Sequence, residues 1–240
     1  MYNLQHPELT EKYKLLTLES IDSHASSLGF ARVALSTKRP RKGSYKGQLY
    51  GMYVARYRPT SATGTGYDGP ELVVFNSNDG TRALRIFYGF YRGVCANGLI
   101  FGDSIFKTGR MVHTGTGFNS HVDQAFDAIL QQRDAANDLV EKLKTTVLSG
   151  KDVHDMVYKS LKLRDKDILP MDIITGLVPR RVEDASFSAW SVMNMLQEYL
   201  VLGGYRINDG RSKKRLTSPS ELIRVNTGIT TLFKELVTLQ

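Results

Sequence analysis

"ELVVFNSNDGTRALRIF", residues 71–87, sets two runs of aliphatic and aromatic residues on either side of Asp79-Gly80. Runs of this kind read as strands, and Asp-Gly between them is a preferred tight hairpin turn, because glycine takes a left-handed backbone at no steric cost. Upstream, "LYGMYVARY" (49–57) is a third β-rich run, separated from the pair by "RPTSATGTGYDGP" (58–70), a Gly, Ser and Thr loop with proline near both ends. Downstream, "FYGFYRGVCANG" (87–98) places Phe87, Phe90, Tyr91, Val94 and Cys95 at helical spacing and ends on Asn97-Gly98, so it predicts a short helix with a C-terminal cap. "LIFGDSIFKTGRMVHTG" (99–115) reads as a further hairpin.

Beyond residue 118 the pattern changes from alternation to helical periodicity. Val122, Phe126, Ile129, Ala136, Val140, Leu143 and Val147 recur at steps compatible with one long helix over 120–148, with a core-facing or coiled-coil-like seam. "DVHDMVYKSLKL" (152–163) and "FSAWSVMNMLQEYLVLGG" (187–204) predict two more, the second closed by Gly203-Gly204. In "SPSELIRV" (218–225), Ser218 reads as an N-cap, Pro219 as the first helical residue and Glu221 as the partner in a capping box. The expected class is therefore α+β: an antiparallel β-rich part with one short helix over 1–118, then a helical part over 119–240 for packing and oligomerisation.

Charge has an address in this chain. The net charge is +8, from 32 Lys and Arg against 24 Asp and Glu. No acidic residue lies between Asp22 and Asp68, and that interval holds eight basic ones: Arg32, Lys38, Arg39, Arg41, Lys42, Lys46, Arg56 and Arg58. The remainder is balanced, so the whole excess sits in one stretch, the footprint of a polyanion binder.

Several chemistries lack their residues. No run approaches the roughly 18 apolar residues of a membrane span, and the first residues lack the succession of a signal peptide; residence in the cytoplasm is expected. The single cysteine, Cys95, excludes an intrachain disulfide and a multi-thiolate metal site. The two "TGTG" tetrads at 63–66 and 114–117 have no following Lys of a phosphate-binding loop. The five histidines are scattered; His113 and His121 alone are placed to meet across a turn. Asp79 and Asp103 are a carboxylate pair conceivable for a nuclease, yet no recognisable pattern of supporting residues accompanies them. No cofactor, no metal and no enzymatic activity are expected.

The basic stretch instead interleaves cations with tyrosines. Along the strand over 49–57, Tyr50, Met52 and Val54 fall on one face and Tyr53 and Tyr57 on the other, about 13 Å apart. With the first set in the core, Tyr53 and Tyr57 are free to stack successive bases of a single strand; packed against the first or last helix, they are core residues instead. Phosphates would be met by Lys38, Arg39, Arg41, Lys42 and Lys46, with Tyr45 among them, and by Arg56 and Arg58 where the strand ends. Arg85, Tyr88 and Arg92 are candidate secondary contacts.

Two motifs also carry a resemblance. Asn78, Asp79, Gly80, Thr81, Ala83, Gly89, Arg92, Cys95, Asn97 and Gly98 resemble the signature of a phage- and plasmid-encoded family catalogued only as a domain of unknown function. Trp190, Asn194, Glu198 and Tyr199 are similar to its C-terminal helix motif. Within that family, the size and the basic arm are similar to early single-stranded DNA-binding proteins of short-tailed phages that carry a virion RNA polymerase. The resemblance implies a homo-oligomeric viral early protein that coats single-stranded DNA and helps a phage RNA polymerase reach its promoters, a role in transcription regulation. Two alternatives stay open: a strand-annealing or recombination protein, and an inhibitor whose basic arm meets an acidic surface on a host protein.

Overall fold

Alternating side chains in the first half of the chain and helical periodicity in the second give two different kinds of packing. The computed structural model describes residues 11–38, 51–62, 67–80, 82–92, 97–100, 109–114, 118–164, 177, 182, 185–203 and 214–239. The chain divides into two compact units, Met1–Gly98 with Phe106–Gln132, and Leu99–Ile105 with Arg133–Gln240. The first unit therefore extends past the expected boundary at 118 and takes one more helix with it.

In the first unit, Thr17 caps helix α1 (Leu18–Ser27) by accepting a 3.1 Å hydrogen bond from the Ser20 backbone N–H. Leu18, Ile21 and Ala25 are its buried stripe. The strands are β1 (Phe30–Lys38), β2 (Met52–Pro59), β3 (Asp68–Ser77), β4 (Leu84–Arg92), β5 (Asn97–Ile100) and β6 (Gly109–Met111). Their order is β1-β2-β3-β4-β5, with β6 also paired to β4. Helix α2 (Phe118–Gln131) packs on β4 and β6 through a face that buries Val122, Phe126 and Ile129.

The β3–β4 pair forms where the hairpin was expected, in register Leu72↔Tyr88, Val73↔Phe87 and Val74↔Ile86. Its connection is wider than a two-residue turn. Ser77 ends β3, Leu84 begins β4, and Gly80 takes φ 71° between them. The Ser77 hydroxyl accepts from the Arg82 N–H at 3.0 Å, closing the turn through a side chain.

The helix expected over 87–98 gives way to strand in the described residues: 87–92 are the second half of β4 and 97–98 the start of β5. Helical spacing there came from the density of aromatic residues, which satisfies several periods at once. Pairing decides between them. β3 on one side and β6 on the other take the backbone of β4, and its side chains then alternate, Leu84, Ile86 and Tyr88 on one face and Phe87, Gly89 and Tyr91 on the other. Before residue 118, α1 is the only α-helix among the described residues. In the segment expected as a further hairpin, β5 and β6 are strands, and β6 has its register with β4.

The long helix expected over 120–148 is two helices. α2 stops at Gln131, Gln132 forms a turn, and α3 (Arg133–Thr145) starts again with Asp134 in its first turn, where a carboxylate complements the helix N-terminus. Val147, expected on the seam, lies beyond α3 and is 72% exposed.

The second unit is a helical packing of α3, α4 (Gly150–Lys162), α5 (Ala189–Leu202) and α6 (Pro219–Leu239). α4 begins at a capping box in which the Ser149 hydroxyl accepts from the Asp152 N–H and the Asp152 carboxylate accepts from the Ser149 N–H. The Ser149 hydroxyl, which also donates to the Asp152 carboxylate at 2.6 Å, and then the Ser149 N–H hold the Asp152 carboxyl below its usual range. α5 ends as expected, at Gly203 with φ 74°, and α6 starts as expected at Pro219. Leu196 and Leu200 of α5 and Val225, Ile229, Phe233 and Val237 of α6 are buried.

Candidate nucleic-acid interface

One face of the sheet is a core face. Tyr53, Ala55 and Tyr57 of β2 alternate onto it, and all three have 0% exposure. The two tyrosines expected to stack bases are therefore interior. The Tyr57 hydroxyl donates to Asp22 of α1 at 2.9 Å, and the Tyr53 hydroxyl accepts from the Asn76 side-chain amide at 2.8 Å. A tyrosine can be wholly buried when its one polar atom is paired, which these bonds achieve. Burial, then the bond to Asp22, pushes the Tyr57 phenol far above its ordinary pKa. Tyr88 and Arg92 alternate onto this same face of β4 and are buried at 2% and 4%, so neither is a surface contact.

Beneath the helices this face carries a polar network. Asn76 donates to the Leu16 carbonyl at 3.2 Å, and its side-chain oxygen lies 2.7 Å from His113 Nε2. His113 Nδ1 is 2.9 Å from the Lys14 carbonyl, and the ring stacks on Tyr13 with centroids 4.7 Å apart. Burial lowers the His113 pKa, against the raising effect of the Lys14 carbonyl. His113 is thus committed to this network and does not meet His121. Among the described residues no group of three or more His, Cys, Asp or Glu is arranged to hold a metal ion.

The opposite face carries the cations. Glu71, fully buried, lies between two arginines: Arg56 Nη1 bonds its Oε2, and Arg58 Nε is 3.2 Å from its Oε1. Opposite Glu71 on β4 is Gly89, and opposite Tyr91 is Gly69. The Arg58 guanidinium lies over Tyr91, 3.4 Å from the ring centroid, and 5.9 Å from the Tyr67 centroid. Tyr67 covers Gly69 so closely that a Cβ there would fall 2.5 Å from the phenol oxygen, which donates to the Pro70 carbonyl at 2.9 Å. Burial raises the Tyr67 pKa to about 12, with Arg58 pulling the other way. Arg56 and Arg58 keep 28% and 20% side-chain exposure, so the cluster is one carboxylate and two guanidinia, net positive and half-open.

A row of residues crosses the same face further along: Ser36↔Val54, Val54↔Phe75, Phe75↔Arg85 and Arg85↔Arg110 are each directly paired. Arg85 is half-buried, and Arg110 occupies the register position opposite it on β6. Sequence reading placed Arg85 with Tyr88 and Arg92 and passed over Arg110. The strand period, had β4 been recognised, separates Arg85 from Tyr88 and Arg92. Lys38 closes β1, while Arg39, Arg41, Lys42, Tyr45 and Lys46 lie outside the described residues, as does Cys95.

The comparisons with known proteins agree with the motif reading. A sequence profile described as "Domain of unknown function (DUF932)" matches residues 52–220. The chain is similar to the UPF0380 protein YafZ of Escherichia coli (strain K12), 30% identical over 167 residues, 67% of this chain and 57% of that protein. It is also similar to the UPF0380 protein YfjQ of the same organism, 31% identical over 156 residues, 62% of this chain and 54% of that protein. The chain thus spans somewhat over half the length of these curated relatives. No solved structure matches significantly. The chain belongs to the DUF932 family.

Proposed function

We propose that this DUF932-family protein binds single-stranded nucleic acid through its phosphates, as a non-enzymatic coat protein for single-stranded DNA. The observation that carries the reading is the placement of charge. The entire excess of +8 falls between Asp22 and Asp68, and Arg56 and Arg58 of that stretch share a sheet face with Arg85, where Glu71 is the carboxylate they meet. Arg58 with Tyr67 and Tyr91 replaces Tyr53 and Tyr57 as the aromatic element, since guanidinium and phenol planes both suit unstacked bases. Among the described residues no helix is long and apolar enough to cross a membrane.

The setting of the proposal is the one expected for early single-stranded DNA-binding proteins of short-tailed phages: a homo-oligomer in the host cytoplasm that assists recruitment of a phage RNA polymerase. The test is binding to fluorescent single- and double-stranded oligonucleotides over a salt series, beside a variant with Lys38, Arg39, Arg41, Lys42 and Lys46 changed to Gln. Preference for the single strand is expected, with log affinity falling linearly in log salt at a slope of about −0.7 per phosphate neutralised. The variant should show a shallower slope. Absence of binding at low salt would overturn the reading in favour of an acidic protein partner; pairing of complementary strands without a polymerase would favour the annealing role.

A further inference from the structure

We propose that Glu71 is a positioning residue, one that holds Arg56 and Arg58 ready to grip a phosphate; this deepens the nucleic-acid reading and rests on it for the source of that phosphate. Arg56 and Arg58 lie two apart on β2 and so share a face. Glu71 of β3 divides its carboxylate between them, Oε2 to Arg56 Nη1 and Oε1 to Arg58 Nε at 3.2 Å. Exposure rises outward through this trio, from none at Glu71 to 20% and 28% at the side chains of Arg58 and Arg56. An anion arriving from solvent therefore meets the guanidinia before the carboxylate. Tyr91 of β4 lies against the Arg58 guanidinium, 3.4 Å from the ring centroid, and this stacking fixes the plane of its fork. Gly89, directly opposite Glu71, sets no side chain beside the arginines.

A merely structural ion pair accounts for less than this. One arginine neutralises a buried carboxylate, and the second leaves the trio at a charge of about +1. Each arginine reaches Glu71 through one nitrogen, of the three that a guanidinium carries. A phosphate suits such a pair, because its oxygens match the planar forks, and the half-buried setting strengthens charge-assisted hydrogen bonds. Arginine side chains also have many rotamers, so ordering two of them in the free protein lowers what is lost on binding. A strand's phosphodiester and free inorganic phosphate offer the same chemistry, and the test separates them.

Charge and positioning make opposite predictions for Glu71→Gln. Removing an acid makes the protein more positive, and charge alone then tightens binding to a polyanion. Loss of positioning weakens it, because glutamine has one acceptor oxygen where glutamate has two. The experiment compares wild type with Glu71→Gln, Arg58→Lys, Tyr91→Phe and Tyr91→Leu, each below its own Tm. Affinity for fluorescent oligothymidylate is read over a salt series, and Tm with and without inorganic phosphate. Glu71→Gln should bind the oligonucleotide about tenfold more weakly at low salt despite its added charge, with a slope shallower by about 0.7. Arg58→Lys keeps the charge and loses the planar fork, and Tyr91→Leu loses the stacking; both should bind more weakly, whereas Tyr91→Phe should match wild type. A folded Glu71→Gln that binds as tightly as wild type, or more tightly, overturns the positioning role while the nucleic-acid reading stands. Should Glu71→Gln fail to fold, Arg58→Lys at wild-type affinity overturns it in the same way, and weaker binding by Arg58→Lys supports it. If no oligonucleotide binds wild type but inorganic phosphate raises its Tm and not that of Arg58→Lys, the phosphate site stands and the nucleic-acid reading falls. If neither ligand has an effect on wild type, both fall.

Discussion

The two faces of the sheet use the same residue types to opposite ends. On the helix-covered face, Tyr53 and Tyr57 are sealed in with their hydroxyls paired to Asn76 and Asp22. On the other, Tyr67 and Tyr91 remain part-exposed around an arginine. Arginine divides likewise, with Arg92 buried at 4% on the first face and Arg56, Arg58 and Arg85 half-open on the second. A tyrosine or arginine in a strand therefore has its role set by parity within the strand, since one residue's shift moves a side chain from the helix-covered face to the face where Glu71 gathers Arg56 and Arg58.

The strongest way to break this comparison is truncation of the sealed tyrosines. Tyr53→Ala or Tyr57→Ala should each lower unfolding free energy by about 3–5 kcal/mol, as for large aromatic residues removed from a core. Chemical denaturation measures it, and a loss below that of an exposed residue would put the rings back on the surface. Next in size is Glu71→Gln. It leaves Arg56 and Arg58 without their shared carboxylate in a half-buried setting and should cost about 3 kcal/mol; a smaller cost in high salt than in low would show that water already screens the pair.

A pH effect distinguishes the faces further. Protonated, both His113 ring N–H groups would donate, to the Lys14 carbonyl and to Asn76, but burial outweighs this and lowers the pKa. The unfolded chain then takes up a proton first as pH falls below about 6.5, so His113 weakens the fold progressively from there down to its own lowered pKa, and has no such effect above. His113→Gln should flatten the dependence of stability on pH in that window; an unchanged slope would remove His113 as its source. The smallest effect is expected at Gly69→Ala. Its Cβ would meet the Tyr67 ring, lifting it from the sheet, so the phenol titration near pH 12 should move down toward 10, with a stability loss of about 1 kcal/mol or less.

Much of the helical unit was legible because its signals are local. Pro219 at the first position of α6 and Gly203 beyond α5 act through their own backbone geometry, whatever surrounds them. The β3–β4 pair was legible for a similar reason, two β-rich runs joined by a turn-forming dipeptide. The misreadings fall where local signals were silent or overlapping. Between Ile129 and Ala136 there is no glycine or proline, and their spacing of seven keeps phase across two turns, so nothing local predicts the break at Gln132. In 87–98, aromatic residues and glycines fit a helix and a strand alike.

The sequence by itself determined the α+β class, the end of α5 and the start of α6, the family and the location of the charge excess. Tertiary structure decided which face of β2 is interior, that 87–92 is a strand, that α2 packs with the sheet, and that Arg85 stands opposite Arg110. The physical reason is common to all four. Each depends on which partner strand or helix takes up the backbone bonds and apolar surface of a segment, and that partner lies far away in the chain, outside the reach of any local pattern.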